Sequence, residues 1–121
     1  MPFTVLVVDD DDGFRRVARR LLTVRGFVVV GDVATGAAAF EAVRRHRPDG
    51  VLLDVKLPDR DGLSVTRALA GRAGAPSIVL TSMDAFRYPD AVLAATGARA
   101  FVAKERLVEA DLLQLFSPAG T

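Results

Sequence analysis

Five short, nearly all-apolar runs recur at regular intervals along the chain. They are FTVLVV (3–8), FVVVGDV (27–33), DGVLLD (49–54), SIVLTS (77–82) and ARAFVAK (98–104). Continuous apolar runs of this kind are typical of strands covered on both faces, whereas alternating runs indicate strands with one face in water. The pattern therefore predicts five strands of a parallel sheet.

Each run is followed by a segment with helical periodicity. These segments are DGFRRVARRLLTVRG (12–26), TGAAAFEAVRRHR (35–47), DGLSVTRALAGR (61–72), DAFRYPDAVLAATG (84–97) and ERLVEADLLQLF (105–116). In the first, the apolar residues Phe14, Val17, Ala18, Leu21 and Leu22 recur at the spacing of one helix face, with arginines on the other side. The Arg-rich RRVARR segment is interpreted as a solvated helix side.

Residues that start and stop helices agree with this division. Thr35 and Asp61 precede helical patterns as N-caps do, and Gly26 and Gly97 follow them as C-terminal glycines do. Pro89 interrupts the fourth pattern, so it either lies in a first helical turn or shortens that helix to about residues 89–96.

Alternating strands and helices predict an α/β fold of the (βα)5 type, an open, doubly wound parallel sheet with helices on both faces. We expect one domain over residues 1–121, with a core of about 3–116 and a tail at 117–121. In a longer protein, that tail would be the start of a linker.

Composition narrows the function classes. The formal net charge of +1 gives no indication of a nucleic-acid or membrane surface, and the absence of cysteine excludes disulfides, thiolate metal sites and a cysteine nucleophile. The sequence MPFTVLVVDD lacks the features of a signal peptide, and no apolar run approaches the roughly 20 residues of a membrane span. We expect a cytoplasmic location.

Four consecutive aspartates, residues 9–12, follow the first strand. Two carboxylates about 4 Å apart repel by roughly 4 kcal/mol at an effective dielectric near 20, so convergent side chains would need compensation. Asp11 and Asp12 suit the start of the following helix. Asp9 and Asp10 either point into water or share a hard divalent cation, and the second interpretation requires a third acidic group.

The other strand ends supply that group. Asp54 ends the third strand, Thr81 and Ser82 the fourth, and Lys104 the fifth. Ligands of doubly wound sheets bind outside the carboxyl ends of the strands. Three carboxylates, a hydroxyl and an ammonium at one edge predict a site for a divalent cation and a phosphoryl group.

The motifs VLVVDDD, VLLDVKLPDRDG, IVLTS and FVAK, in this order and spacing, resemble the receiver domain of bacterial two-component response regulators over residues 3 to 116. The resemblance implies the flavodoxin-like strand order 2-1-3-4-5. It also implies that Asp54 accepts a phosphoryl group from a histidine kinase or phosphotransfer protein. Mg²⁺ or Mn²⁺ would be held by Asp9, Asp10, Asp54 and the backbone carbonyl of Lys56.

The resemblance implies further roles. Thr81 and Lys104 would contact phosphoryl oxygens, Phe101 would be an aromatic switch residue, and Lys56 and Met83 would tune how fast water removes the phosphoryl group. The implied output surface, which would also form a homodimer, lies on the fourth helix, fifth strand and last helix. It would include Ala91, Val92, Ala95, Arg99, Glu105, Leu107 and Val108.

Two other functions compete with this interpretation. A receiver-like module that works without phosphorylation predicts missing acceptor or metal residues, and here they are present. A phosphatase of the haloacid dehalogenase type expects an Asp-x-Asp pair after the first strand, whereas this chain has Asp54-Val55-Lys56 on the third. His46, the single histidine, is expected on the surface at the opposite edge of the sheet, and Glu105 stands where many receivers carry proline.

Overall fold

A computed structural model describes residues 2–83 and 88–117 of the chain. The strands are β1 (Thr4–Val8), β2 (Val28–Val33), β3 (Gly50–Asp54), β4 (Ser77–Ser82) and β5 (Ala100–Ala103). The helices are α1 (Asp12–Val24), α2 (Gly36–His46), α3 (Gly62–Ala70), α4 (Asp90–Thr96), a 3-10 helix (Lys104–Glu109) and α5 (Leu112–Phe116). Residues 84–87 of the fourth helical pattern and 118–121 of the expected tail lie outside the described residues.

The strands form one parallel sheet in the order β2-β1-β3-β4-β5, which confirms the fold class and the strand order that the resemblance implied. Every residue of β3 is buried, as are all but the first residues of β1 and β4, whereas β2 and β5 at the edges are mostly half-buried. The apolar runs of β1, β3 and β4 therefore form central strands covered on both faces, whereas those of β2 and β5 form edge strands that are covered only in part.

The sheet separates two apolar cores. Leu6, Leu53 and Leu80 point to the side that packs on α2 and α3. Val7, Leu52 and Val79, their neighbours in the strands, point to the side of α1 and α5. Side chains of successive strand residues project to opposite faces, so each central strand contributes to both cores.

The expected helix caps are present. The side chain of Thr35 accepts a hydrogen bond from the N–H of Ala38, and that of Asp61 accepts one from Leu63. Gly97 has the left-handed φ of 89° that favours glycine at a helix end. Helix α4 begins at Asp90, directly after Pro89, which confirms the predicted bounds to within one residue.

The expectation of one continuous helix over 105–116 is wrong. Ala110 is extended with ψ 145°, and Asp111 starts α5 by accepting a hydrogen bond from the N–H of Gln114. Leu107 and Leu112 are both buried, yet five residues along a straight α-helix would place them about 140° apart. The break lets both leucines reach the core.

The same turn corrects the expected output surface at one position. Leu107 is only 2% exposed, so it does not belong to that surface. Its neighbour Val108 is 64% exposed. The 3-10 turn directs the leucine inward and leaves the valine outside.

Candidate functional site

The carboxyl ends of four strands bring the predicted site residues to one edge of the sheet. Asp9 follows β1, Asp54 ends β3 and is the register partner of Thr81 in β4, and Lys104 follows β5. The N–H of Asp9 donates to the carbonyl of Val33 at the end of β2. Parallel register thus places residues distant in sequence side by side.

The three carboxylates converge. One oxygen each of Asp9, Asp10 and Asp54 lies within 4.8 Å of the others. Asp9 is fully buried and Asp54 is 6% exposed, whereas Asp10 faces solvent. This arrangement favours the metal-ligand interpretation of Asp9 and Asp10 over the solvated one, because oxygen ligands are what hard divalent cations require.

Backbone N–H groups orient the two buried carboxylates in the same way. Asp9 Oδ1 accepts a hydrogen bond from the N–H of Asp11 at 2.9 Å, and Asp54 Oδ1 accepts one from the N–H of Lys56 at 3.1 Å. In each case the donor lies two residues further along the chain. One oxygen of each carboxylate is therefore fixed by its own connecting loop.

The second oxygen of each carboxylate faces Lys104. The Nζ atom lies 2.6 Å from Asp9 Oδ2 and 3.3 Å from Asp54 Oδ2. It also lies 4.4 Å from the centre of the Phe14 ring. The side chain of Lys104 is only 6% exposed, so this ammonium is a buried counter-ion and not a solvated strand-end cation.

Burial and charge perturb the two ionisable partners. The pKa of Asp54 is raised, chiefly by burial and further by the charge of Asp9, which together outweigh the lowering effects of the Lys56 N–H and of Lys104. Burial by itself would lower the pKa of Lys104, but hydrogen bonding and charge from Asp9 and Asp54 outweigh it and raise that pKa. Lys104 is therefore a cation at neutral pH.

Thr81 offers an unused hydrogen-bonding group beside the acceptor candidate. It is 1% exposed, and its Oγ1 has no hydrogen-bond partner within the part of the chain that the structure describes. Buried hydroxyls are normally paired, since an unpaired one costs free energy. This hydroxyl is therefore available to hydrogen-bond a ligand at the edge of the sheet.

The other residues singled out from the sequence are half-buried or exposed. Phe101 is half-buried, with its ring edge-to-face to that of Tyr88 at 6.4 Å. The side chain of Lys56 is exposed, and Met83 is 76% exposed just after β4. His46 is exposed at the end of α2, on the surface as expected.

Two contributors to the site were missed from the sequence. Phe14 was assigned to an apolar helix stripe, but its ring also contacts Lys104. Arg15 was assigned to a solvated side, but its side chain is 16% exposed, donating to the carbonyl of Asp9 at 2.7 Å and to Asp32 at 2.9 Å. The available signal was Asp32 itself, an acidic residue within an otherwise apolar strand run.

Comparison with known families agrees with this geometry. The sequence model of the response regulator receiver domain matches residues 5–116. The chain therefore belongs to the response regulator receiver domain family, whose members are phosphoacceptor signalling switches of two-component systems. None of the described helices combines the length and apolar character that a membrane crossing requires.

Two curated relatives come from Mycobacterium tuberculosis. Transcriptional regulatory protein PdtaR is 36% identical over 106 residues, covering 86% of this chain and 50% of PdtaR. Probable transcriptional regulatory protein TcrX is 38% identical over 115 residues, covering 94% of this chain and 48% of TcrX. The chain spans about half the length of these relatives.

A solved structure shows the same fold over nearly the whole chain. The signal receiver domain of NarL from Mycobacterium tuberculosis superimposes with a TM-score of 0.79 at 30% identity, covering 97% of this chain and 98% of that domain.

Proposed function

We propose that this chain is the phosphoacceptor receiver domain of a response regulator and that Asp54 takes a phosphoryl group from a histidine kinase or phosphotransfer protein. The observation that carries the proposal is the environment of Asp54. Its carboxylate is buried at a strand end, held by the N–H of Lys56, and faces Lys104 beside two further carboxylates.

The step is a displacement at phosphorus. An oxygen of the Asp54 carboxylate forms a bond to the phosphorus atom, the bond between phosphorus and the donor breaks, and the electron pair of that bond leaves with the donor. The product is an acyl phosphate on Asp54. The N–H of Lys56 holds the carboxylate in a fixed orientation, which favours one direction of approach.

The donor set fits Mg²⁺ or Mn²⁺, with Asp9, Asp10, Asp54 and the backbone carbonyl of Lys56 as ligands. When bound, the ion neutralises charge on the phosphate and fixes its orientation. Three carboxylates opposite the single ammonium of Lys104 leave the described site with excess negative charge, which favours a divalent cation.

Two further side chains bind the phosphoryl group once it is on Asp54. Lys104 pairs with one phosphoryl oxygen. Its contact with the Asp54 carboxylate is replaced in part by a contact with the phosphoryl group, which carries more negative charge. Thr81 donates its unused hydroxyl to another. Lys56 and Met83, both exposed at the rim, tune how fast water removes the phosphoryl group.

Phosphorylation then alters the surface of α4, β5 and α5. Movement of Thr81 toward the phosphoryl group leaves space near Phe101, and the ring responds together with Tyr88. We propose that this surface contacts an output partner or a second copy of the chain. Its exposed members are Ala91, Val92, Ala95, Arg99, Glu105 and Val108.

In this proposal the chain is a cytoplasmic signalling switch. It assists its own phosphorylation and dephosphorylation and does not turn over a separate substrate. Residues 1–121 form one receiver domain, with its core over about residues 3–116. Output through nucleic acid or another effector belongs to other domains or proteins.

Intact-mass measurement tests the proposal. The chain is incubated with acetyl phosphate and Mg²⁺, and the wild type is compared with Asp54→Asn and with Asp49→Asn. Asp49 lies just before β3 and Asp54 ends it, so the control changes a carboxylate at the opposite end of the same strand. We expect one added phosphoryl group in the wild type and in Asp49→Asn, and none in Asp54→Asn or with a metal chelator.

Uptake by Asp54→Asn would place the acceptor elsewhere. No uptake by any variant, from acetyl phosphate or from histidine kinases, would favour the module that works without phosphorylation. Sustained turnover of a generic phosphate ester would instead support a phosphatase.

A further inference from the structure

We propose that Phe14 is a positioning residue for Lys104, holding its ammonium at the acceptor site through the face of the aromatic ring. This inference rests on the proposed function, because it assigns Phe14 a part in the phosphorylation of Asp54. The main observation behind it is the distance of 4.4 Å between Lys104 Nζ and the centre of the Phe14 ring.

The ring completes an enclosure around the ammonium. Asp9 Oδ2 and Asp54 Oδ2 lie 2.6 Å and 3.3 Å from Nζ, and the ring is the third neighbour. Lys104 has a long, flexible side chain, and a lysine held by carboxylates alone retains freedom to swing. A ring face attracts the cation and occupies space into which it would otherwise move.

The position of Phe14 in the chain makes this contact possible. The residue lies in the first turn of α1, close to the end of β1 that carries Asp9. It is half-buried and also packs against the core on the α1 side. The ring thus connects that core to the acceptor site.

The chain supplies a matched control. Phe40, on α2, also has cations near its ring, with the guanidinium carbons of Arg60 and Arg72 each 5.2 Å from the ring centre. Neither arginine contacts Asp9 or Asp54 in the described ion pairs. Replacing Phe40 with leucine therefore removes the same kind of interaction away from the acceptor.

The experiment compares full-length wild type, Phe14→Leu, Phe14→Tyr and Phe40→Leu. The initial rate of phosphoryl uptake from acetyl phosphate with Mg²⁺ is measured by intact mass, and urea unfolding checks that each variant is folded. Between the exposed and the desolvated limits, a cation–π contact corresponds to about a two- to thirty-fold change in rate. We expect a loss of this size in Phe14→Leu, restoration in Phe14→Tyr, and the wild-type rate in Phe40→Leu.

A second readout does not depend on phosphorylation. Protons next to Lys104 Nζ lie near the ring, so in wild-type NMR spectra we expect their resonances to carry a ring-current shift. The shift should disappear in Phe14→Leu and persist in Phe14→Tyr and Phe40→Leu. This pattern establishes the contact in solution. A slower uptake in Phe14→Leu at an unchanged free energy of unfolding is the result that a purely structural role would not produce.

The outcomes separate the two proposals. A wild type that takes up no phosphoryl group, from acetyl phosphate or from histidine kinases, overturns the proposed function and the role of Phe14 with it. Uptake that Phe14→Leu leaves unchanged, or a loss that Phe14→Tyr does not restore, overturns the role of Phe14 alone. Wild-type Lys104 resonances unaffected by removal of the ring would also overturn it.

Discussion

The four consecutive aspartates at residues 9–12 have different environments in the folded chain. Asp9 is buried against Lys104, Asp10 is exposed beside it in the carboxylate cluster, and Asp11 accepts the first hydrogen bond of α1 from Phe14. Asp12 forms an ion pair with Arg15. The repulsion expected from the sequence is thus relieved by one ammonium, backbone N–H groups and solvent.

At the scale of single residues, Asp54 should make the free energy of unfolding depend on pH. Because burial and Asp9 raise its pKa above the ordinary value of 3.8, the ionised form is disfavoured in the folded chain relative to the unfolded one. We expect Asp54→Asn to have a higher free energy of unfolding than the wild type at neutral pH without divalent ions. The difference should shrink as the pH falls through the folded pKa, and it should vanish below 3.8, where Asp54 is neutral in both states.

Urea titrations from acidic to neutral pH measure this difference. Asp49→Asn is the matched control, since its carboxylate accepts hydrogen bonds from Thr4 at the opposite edge and its loss should not stabilise the chain. A difference for Asp54→Asn that grows as the pH falls would contradict the assigned direction.

At the scale of elements, the connection from β3 to α3 ties Asp54 to two helices. The Asp59 carboxylate accepts hydrogen bonds from the N–H groups of Gly36 at 2.8 Å and Ala37 at 3.0 Å, and these bonds lower the pKa of Asp59. At the end of the connection, Gly62 donates its N–H to the carbonyl of Val55. The loop after Asp54 is therefore fastened to α2 through Asp59, and its two ends are joined where Gly62 of α3 bonds to Val55.

Gly62→Ala should disturb this connection. An added Cβ would lie 2.4 Å from the carbonyl oxygen of Asp54 and 2.6 Å from Val55 Cα, and backbone atoms cannot move aside as a flexible side chain can. We expect the free energy of unfolding to fall by about 1–3 kcal/mol and phosphoryl uptake to slow. Urea unfolding and intact mass measure the two effects.

Gly71→Ala, just past the other end of α3, is the matched control. The nearest atom to its added Cβ is the carbonyl oxygen of Arg67 at 3.5 Å, an ordinary contact, and its φ of −79° suits alanine. Equal losses in the two variants would show that the close approach at Gly62 is not responsible.

At the scale of the whole molecule, the acidic site lies at the carboxyl edge of the sheet, and the surface of α4, β5 and α5 with the 3-10 helix carries exposed apolar side chains. Val92 on α4 is 36% exposed, Val108 in the 3-10 helix 64%, and Leu113 on α5 58%. Exposed apolar groups of neighbouring elements are suited to association. If this surface is the output surface that we propose, phosphorylation of Asp54 must alter how it associates.

Gel filtration with and without beryllofluoride and Mg²⁺ tests that link. If phosphorylation promotes a homodimer through α4, β5 and α5, the phosphoryl analogue should roughly double the apparent mass of the wild type. Val108→Asp should prevent the shift, because it places a charge in the interface. Val28→Asp, a matched change on β2 at the opposite edge of the sheet, where the valine is 43% exposed, should not. Identical profiles with and without the analogue would contradict phosphorylation-linked dimerisation.

Local patterns determined much of this protein. Apolar runs predicted all five strands, Thr35 and Asp61 predicted helix starts, and the strand ends predicted which side chains share an edge. These features depend on neighbours a few residues apart, so the sequence records them directly. Strand order was not among them: it followed from the resemblance of the motifs to receiver domains.

Only the tertiary structure decided the distant contacts that lie away from the strand ends. Asp59 bonds to the N–H of Gly36, 23 residues away in the chain, and Arg15 bonds to Asp32, 17 residues away. The contact of Phe14 with Lys104 and the break that buries both Leu107 and Leu112 also depend on how helices pack on the sheet. Periodicity assigns a residue to a face, but the partner on that face is fixed only when elements far apart in sequence pack together.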